Sequence, residues 1–200
     1  MAAFQDAVDL GYGYVETDVH ATRDGVLVAF HDDRLDRVTG HKGLIAELDW
    51  AEVAQARVHG RESIPLFDEL LSAWPDLRIN IDPKADGAVA PLAKALDRPD
   101  VLARVCVGSF SGRRLERLRS MLGPSLCTSM GPWDVMRLRL ASLGLPVSAF
   151  TALAAQVPLR HYGLPVVDGR FIAAAHARNL KVHVWTINDA GEIRRLLDLG

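Results

Sequence analysis

Strand-like and helix-like segments alternate along almost the whole chain, and this alternation restricts the fold more than any other feature of the sequence. The strand-like segments lie near residues 12–19, 78–82, 104–109, 125–129, 154–158 and 181–187. Segments with apolar residues at helical spacing stand between them, of which LFDELLSAW and GRRLERLRSML are clear examples. Strands that alternate with helices of this kind form βαβ units and a parallel sheet. The sequence therefore predicts an α/β fold.

Length and composition predict one globular domain that covers residues 1–200. A net charge of -2 gives no reason to expect nucleic acid as a partner. No apolar run approaches the roughly 20 residues of a membrane span, so we expect no stable membrane insertion. Cys106 and Cys127 read as free thiols, and the first residues lack a secretory signal, which together favour the cytoplasm. Nothing in the composition predicts the oligomeric state.

One apolar stretch, residues 26–31, interrupts the alternation. It follows the first predicted strand after only about five residues, which is too short for a crossover helix. The dipeptide Asp24-Gly25 between them is typical of a tight turn. We therefore predict that residues 20–33 form a hairpin that lies beside the main sheet and is not a member of it.

Acidic side chains line one face of two predicted strands. Glu16 and Asp18 are two residues apart, so both point to the same side of their strand, with Cα atoms about 6.6 Å apart. In RINIDPK the same spacing places Asp82 and Lys84 on one face. Carboxylates gathered on a strand face need a positive partner, and oxygen ligands of this kind suit Mg²⁺ or Ca²⁺. Alternatively, Glu16 and Asp18 are solvated residues at a strand edge that pair with Arg23 and Lys84.

Two histidines accompany these carboxylates. His20 shares a face with Asp18 and is a possible extra ligand, whereas His31 stands directly before two aspartates. Taken alone, each also fits a structural histidine held by hydrogen bonds. Trp185, in an apolar strand, reads by default as a core residue, and the residues up to this point do not specify a reaction.

The stretch ETDVHATRDGVLVAFHDDRLDRVTG resembles the signature region of the glycerophosphodiester phosphodiesterases. The similarity continues through IPLFDELL, INIDPK, VGSF and VHVWTIND, in the order and spacing of that family. The resemblance implies a (β/α)₈ TIM barrel of the phospholipase-C-like phosphodiesterase type, with its active site at the carboxyl ends of the strands. It also implies metal-dependent hydrolysis of small-molecule glycerophosphodiesters to glycerol 3-phosphate and an alcohol.

The resemblance assigns roles residue by residue. It makes Glu16, Asp18 and Asp82 ligands of a divalent cation, Mg²⁺ or Ca²⁺, although the family more often has Glu at the position of Asp82. It makes His31 a catalytic histidine. Finally, it places Lys84 against the substrate phosphate and Trp185 in the wall of the substrate pocket.

The chain also departs from the family pattern at both ends. The family has a strand that ends in His-Arg-Gly before the segment that begins here at residue 2, and a final strand after the segment that ends at Gly200. We therefore expect an incomplete barrel that lacks its first and last strands, and impaired hydrolysis by these residues alone. Two alternatives to the hydrolase remain at this stage: a non-catalytic protein that binds a metal or a phosphodiester, and a related phosphodiesterase that acts on lysolipids.

Overall fold

The computed structural model describes all residues from Met1 to Gly200. The helices are α1 Ala2–Asp9, α2 Trp50–Val53, α3 Phe67–Ala73, α4 Val89–Leu96, α5 Pro99–Leu102, α6 Gly112–Leu122, α7 Pro132–Ser142, α8 Gly169–His176 and α9 Ala190–Asp198. The strands are β1 Tyr14–Ala21, β2 Leu27–Ala29, β3 Arg57–Val58, β4 Glu62–Ser63, β5 Arg78–Pro83, β6 Val105–Val107, β7 Cys127–Thr128, β8 Ala154–Pro158, β9 Arg160–His161, β10 Leu164–Pro165 and β11 Lys181–Trp185. Short 3₁₀ turns lie at Ile45–Glu47, Asp86–Ala88 and Gly123–Ser125. All six predicted parallel strands are present, as β1, β5, β6, β7, β8 and β11.

The chain divides into two compact units. The first comprises residues 1–109 and 113–126, and the second comprises residues 110–112 and 127–200. In the first unit, β1, β5 and β6 form a parallel sheet, and β2 pairs with β1 at its edge. In the second unit, β8 and β11 are parallel neighbours. No helix is long and apolar enough to cross a bilayer.

The buried face of the first sheet follows the predicted alternation. Ile79 and Ile81 on β5 are 1% exposed and pack with Val19 of β1 against helices α3 and α4. Asn80 and Asp82, which alternate with them along β5, point to the opposite face and are less buried. Burying one side of each strand in this way holds the polar side chains of the other face in a defined register.

The hairpin prediction is correct for the turn but wrong for the position of its second strand. β2 pairs antiparallel with the last three residues of β1, from Val19↔Ala29 to Ala21↔Leu27, so it is a member of the sheet. The reason is that β1 extends to Ala21, two residues beyond its last pairing with β5, and its backbone groups there are satisfied by β2. Gly25 adopts φ +81° in the turn, a conformation that favours glycine.

A small separate core anchors the segment that follows β2. It contains Val28, Leu35, Ile45, Val53, Ala56 and Ile64, all at most 2% exposed. A capping box begins α2 at the edge of this core, where the Asp49 backbone N–H donates to Glu52 Oε2 at 3.0 Å. Residues 31–44 run mostly over the surface between the end of β2 and Ile45, and Leu35 is their buried anchor.

The second unit has its own core, centred on Phe171, Leu138 and Ala155, each fully buried. β8 and β11 pair in register, with Ala155 opposite Val182 and Pro158 opposite Trp185. Cys106 and Cys127 are each partly buried, and neither forms a disulfide.

Candidate active site

Sheet register brings the predicted acidic residues together. β1 and β5 run parallel with Asp18 directly opposite Asp82 and Glu16 opposite Asn80. Because Glu16 and Asp18 lie two residues apart on β1, their side chains share a face with Asp82. The carboxylates therefore gather toward the carboxyl ends of two neighbouring strands.

The ammonium group of Lys84 lies between two of these carboxylates. Lys84 Nζ donates to Asp18 Oδ1 and to Asp82 Oδ2, each at 2.8 Å. The Asp18 side chain is only 7% exposed, so its charge requires a partner. Burial alone would lower the pKa of Lys84, but its hydrogen bonds to Asp18 and Asp82 outweigh burial and raise the pKa above its ordinary value. Lys84 is therefore a cation at neutral pH.

The charge of this cluster is incompletely balanced. Three carboxylates share one ammonium group, and dehydration by the surrounding protein, followed by the negative charge of Asp18, raises the pKa of Glu16 to about 7. Glu16 keeps an open side toward solvent, where water screens part of this repulsion. A second cation at this edge would relieve the repulsion that adds to the effect of burial on the pKa of Glu16.

The donor set fits a hard divalent cation in chemistry and charge, because carboxylate oxygens are the ligands that Mg²⁺ and Ca²⁺ prefer. No three His, Cys, Asp or Glu side chains lie close enough together to hold a metal ion in the present arrangement. In this arrangement Lys84 engages both Asp18 and Asp82.

His31 follows β2 and reaches back toward the carboxylates. Its Nε2 atom lies 3.8 Å from Asp18 Oδ2. Its other nitrogen, Nδ1, lies 2.7 Å from Asp32 Oδ1, and because a carboxylate only accepts, Nδ1 carries the proton of that hydrogen bond. Asp32 in turn accepts two hydrogen bonds from Arg37, from Nε at 2.6 Å and from Nη2 at 2.9 Å. These bonds, first from Arg37 and then from His31, lower the pKa of Asp32 to about 2.

His20 is buried beneath this group, at 5% exposure. Its Nε2 atom lies 3.3 Å from the backbone carbonyl of His31, to which it can only donate. Burial is the main reason that the pKa of His20 is lowered, so the ring is neutral at pH 7. While Nε2 makes this bond, it is not available to a metal ion.

A cleft of about 660 Å³ opens beside these groups. Its lining includes His20, His31, Asp32, Arg37 and Lys84. A volume of this size suits a small-molecule ligand.

Sequence reasoning missed Asp32 and Arg37. The two aspartates that follow His31 have no role in the prediction, although a carboxylate adjacent to a histidine is a common orienting partner. Arg37 gave no local sign of its role, because its contact with Asp32 depends on the path of the intervening loop.

Trp185 lies in the second unit, where it ends β11. It is 40% exposed, so the default reading as a core residue is wrong. Its ring makes an edge contact with Phe110, with ring centroids 5.8 Å apart. Phe110 is itself 67% exposed, so the two aromatic side chains form an apolar surface that water reaches.

Comparison with known proteins decides the family. The model of the glycerophosphoryl diester phosphodiesterase family matches residues 1–200. The chain belongs to this family. The "Probable glycerophosphodiester phosphodiesterase 2" of Mycobacterium tuberculosis is 38% identical to it, over all of this chain and 77% of that protein. The human lysophospholipase D GDPD1 is 26% identical, over all of this chain and 76% of that protein.

Solved structures of glycerophosphoryl diester phosphodiesterases share the fold. A domain of this type from Mycobacterium tuberculosis superposes with a TM-score of 0.83 at 18% identity, covering all of this chain and 86% of that one. An Oleispira antarctica phosphodiesterase, solved with the product sn-glycerol-3-phosphate, gives a TM-score of 0.77 at 22% identity and covers all of this chain and 83% of that one. The predicted TIM-barrel class is confirmed, and enzymes of this family use divalent cations.

Proposed function

We propose that this protein hydrolyses glycerophosphodiesters to glycerol 3-phosphate and an alcohol. The observation that carries the proposal is the grouping of Asp18, Asp82 and Lys84 with His31 at one sheet edge, beside a cleft of small-molecule size. The M. tuberculosis relative named for this activity is 38% identical and matches the whole chain. Since the family match runs unbroken from residue 1 to 200, we also propose that these residues belong to a single catalytic domain.

Glu16, Asp18 and Asp82 are the proposed ligands of one divalent cation, Mg²⁺ or Ca²⁺. The raised pKa of Glu16 is compatible with this assignment: burial is its main cause, and the negative charges of Asp18 and Asp82 add to it. Asp82 is shorter by one methylene than the Glu usual in the family, and its position opposite Asp18 supports its inclusion. A bound divalent cation supplies Lewis-acid stabilisation of the charge that develops on the phosphoryl oxygens.

Lys84 and His31 are the proposed residues that contact the substrate. A phosphodiester is anionic, and Lys84 carries the positive charge that attracts it and offsets the charge of the transition state. His31, protonated on both nitrogens, gives the Nε2 proton to the departing alcohol oxygen, while Asp32 stabilises the imidazolium through Nδ1. Its 78% exposed side chain is accessible to a ligand in the cleft.

Trp185 is the proposed contact for the apolar part of the substrate. Its exposed ring at the carboxyl end of β11 supports this role, since barrel enzymes of this class bind their ligands at the carboxyl ends of strands.

Product analysis tests the proposed function. The protein is incubated with glycerophosphocholine and Mg²⁺ or Ca²⁺, and the products are identified by ³¹P NMR and a choline assay. We expect glycerol 3-phosphate and choline in equal amounts. The Asp18→Asn variant should hydrolyse glycerophosphocholine at least 100-fold more slowly. Asp76 is exposed in the turn before β5, so Asp76→Asn should leave the rate unchanged. Metal binding by a folded protein without any hydrolysis would instead indicate a non-catalytic binding protein.

The lysophospholipase D relatives motivate a second substrate class for the same assay. Lysophosphatidylcholine should be cleaved more slowly than glycerophosphocholine if the water-soluble diesters are the substrates. Faster release of choline from the lysolipid would assign the protein to the lysophospholipase D activity.

A further inference from the structure

His31 is poorly held by packing. Its side chain is 78% exposed, and its Nδ1 atom makes one hydrogen bond, to Asp32 Oδ1. An exposed imidazole without further support samples several rotamers, and either nitrogen can carry the proton of its neutral form. The position and tautomer of His31 therefore depend on the placement of the Asp32 carboxylate.

The Asp32 carboxylate is held by Arg37. The two hydrogen bonds from Arg37, at 2.6 and 2.9 Å, engage both oxygens of Asp32 and fix the plane of its carboxylate. Arg37 remains 67% exposed and covers Asp32, whose side chain is only 15% exposed. The guanidinium group of Arg37 therefore fixes the Asp32 carboxylate, which orients His31.

The loop between Asp32 and Arg37 is anchored at its centre. Leu35 is 1% exposed within the small core described above, and its backbone N–H donates to the Gly43 carbonyl at 3.0 Å. This anchor turns the chain so that Arg37, five residues after Asp32, returns to the carboxylate.

We propose that Arg37 is a positioning residue, which acts through Asp32 to hold the His31 ring with Nδ1 protonated and Nε2 directed toward Asp18. The effect expected on turnover rests on the proposed function. The contacts from Arg37 to Asp32 and from Asp32 to His31 do not depend on it. Arg37 on this account contacts no substrate. It differs in this respect from Lys84, whose charge acts on the phosphate.

A double-mutant cycle distinguishes positioning from direct substrate binding. Arg37→Gln should lower kcat for glycerophosphocholine about 10-fold with little change in KM, because misplacing a catalytic group costs turnover and not affinity. Asp32→Asn should lower kcat about 100-fold. If Arg37 acts through Asp32, the double variant should be no slower than Asp32→Asn alone. Arg37→Lys keeps the positive charge but loses the two parallel hydrogen bonds, so its kcat should lie between those of Arg37→Gln and the wild type.

Arg23 provides the matched control. It makes an equivalent two-pronged contact with Asp49, at 2.9 and 2.6 Å, and its side chain is 58% exposed. Arg23→Gln therefore removes the same type of ion pair away from His31, and kcat should stay within about twofold of the wild type. A loss equal to that of Arg37→Gln would mean that stability, and not positioning, explains the effect.

The ring of His31 supplies a readout that does not require activity. In ¹⁵N NMR spectra of the whole protein, the wild type should show Nδ1 protonated in neutral His31, and Arg37→Gln should increase the share of the Nε2-protonated form. Unchanged ¹⁵N shifts, or an Arg37→Gln loss of equal size in the Asp32→Asn background, would overturn the proposal. If the wild type hydrolyses no glycerophosphodiester, the proposed function fails, and the NMR comparison alone decides the role of Arg37.

Discussion

At the scale of single residues, the candidate site is a balance between one ammonium group and three carboxylates. Lys84 satisfies Asp18 and Asp82 with one hydrogen bond each. Glu16 has a raised pKa, first because of burial and then because its negative neighbours are only partly offset. The same carboxylates are the proposed ligands of a divalent cation. Lys84 and the cation therefore compete for the same oxygen atoms. Removing one of these charges should change how strongly the carboxylates bind the other.

Removal of the Lys84 charge tests this competition. In Lys84→Met, the affinity for Mg²⁺ or Ca²⁺ should rise several-fold, because Asp18 and Asp82 lose their internal cation. The value of kcat/KM should nevertheless fall by about 100-fold or more, since the substrate phosphate loses its positive partner. Isothermal titration and steady-state kinetics measure the two effects. Lys94→Met, an exposed residue of α4, serves as the control. A lower metal affinity in Lys84→Met would show that the ammonium group does not compete with the cation.

The raised pKa of Glu16 predicts a pH-dependent stability of the metal-free protein. The folded protein holds the Glu16 proton up to about pH 7, above the ordinary value of 4.5, so folding favours the protonated form. This contribution to stability is complete below the unfolded pKa and disappears as the pH rises through 7. Urea unfolding in chelator should therefore show a free energy of unfolding that falls between pH 4.5 and 7. The free energy of unfolding of Glu16→Gln should fall less over the same range. An identical pH dependence in both proteins would contradict the raised pKa of Glu16.

At the scale of elements, the segment after β2 carries His31, Asp32 and Arg37 on a short loop that is anchored by one buried leucine. Leu35 is 1% exposed and packs in a core of only a few residues. The small size of this core makes each of its members important for the position of the loop. The orientation of His31 thus depends on packing several residues away.

Truncation of this leucine gives a prediction at the same scale. Leu35→Ala should lower the free energy of unfolding by about 2–4 kcal/mol, the usual cost of a cavity at a fully buried leucine. Leu10→Ala, at a leucine that is 78% exposed, should change it by no more than about 0.5 kcal/mol. Urea denaturation of both variants makes the comparison. A Leu35→Ala protein as stable as the wild type would show that this small core does not hold the loop.

The elements themselves were largely predictable from the sequence. Alternating apolar residues in RINID and YGYVETDV identified two strands, and Ile79, Ile81 and Val19 lie on their buried faces. Successive side chains of a strand point to opposite faces, so alternation shows directly which side is buried. The grouping of Asp18 with Asp82 followed from the parallel sheet. The pairing of Asp18 with Lys84 was one of the alternatives that the sequence offered. The second contact of Lys84, with Asp82, and the contact of Arg37 with Asp32 were not predictable, since they depend on side-chain rotamers and on a loop path set by Leu35. The membership of β2 in the main sheet was missed because local turn signals do not specify how far β1 extends.

At the scale of the whole molecule, both compact units have independent cores, and the family match covers residues 1–200 across both of them. The chain spans 77% of the M. tuberculosis relative and 86% of the M. tuberculosis domain with the same fold. The chemistry proposed for the molecule is concentrated in the first unit, at the carboxyl ends of β1 and β5.

Hydrolysis of glycerophosphocholine before and after removal of divalent cations is the most direct test of the central claim, that a cation-binding group of carboxylates with Lys84 and His31 cleaves glycerophosphodiesters. Chelation should abolish the release of glycerol 3-phosphate by the wild type, added Mg²⁺ or Ca²⁺ should restore it, and Asp18→Asn should remain inactive with either ion. Release that persists at the same rate in chelator, or in Asp18→Asn, would contradict the proposed cation site and the mechanism built on it.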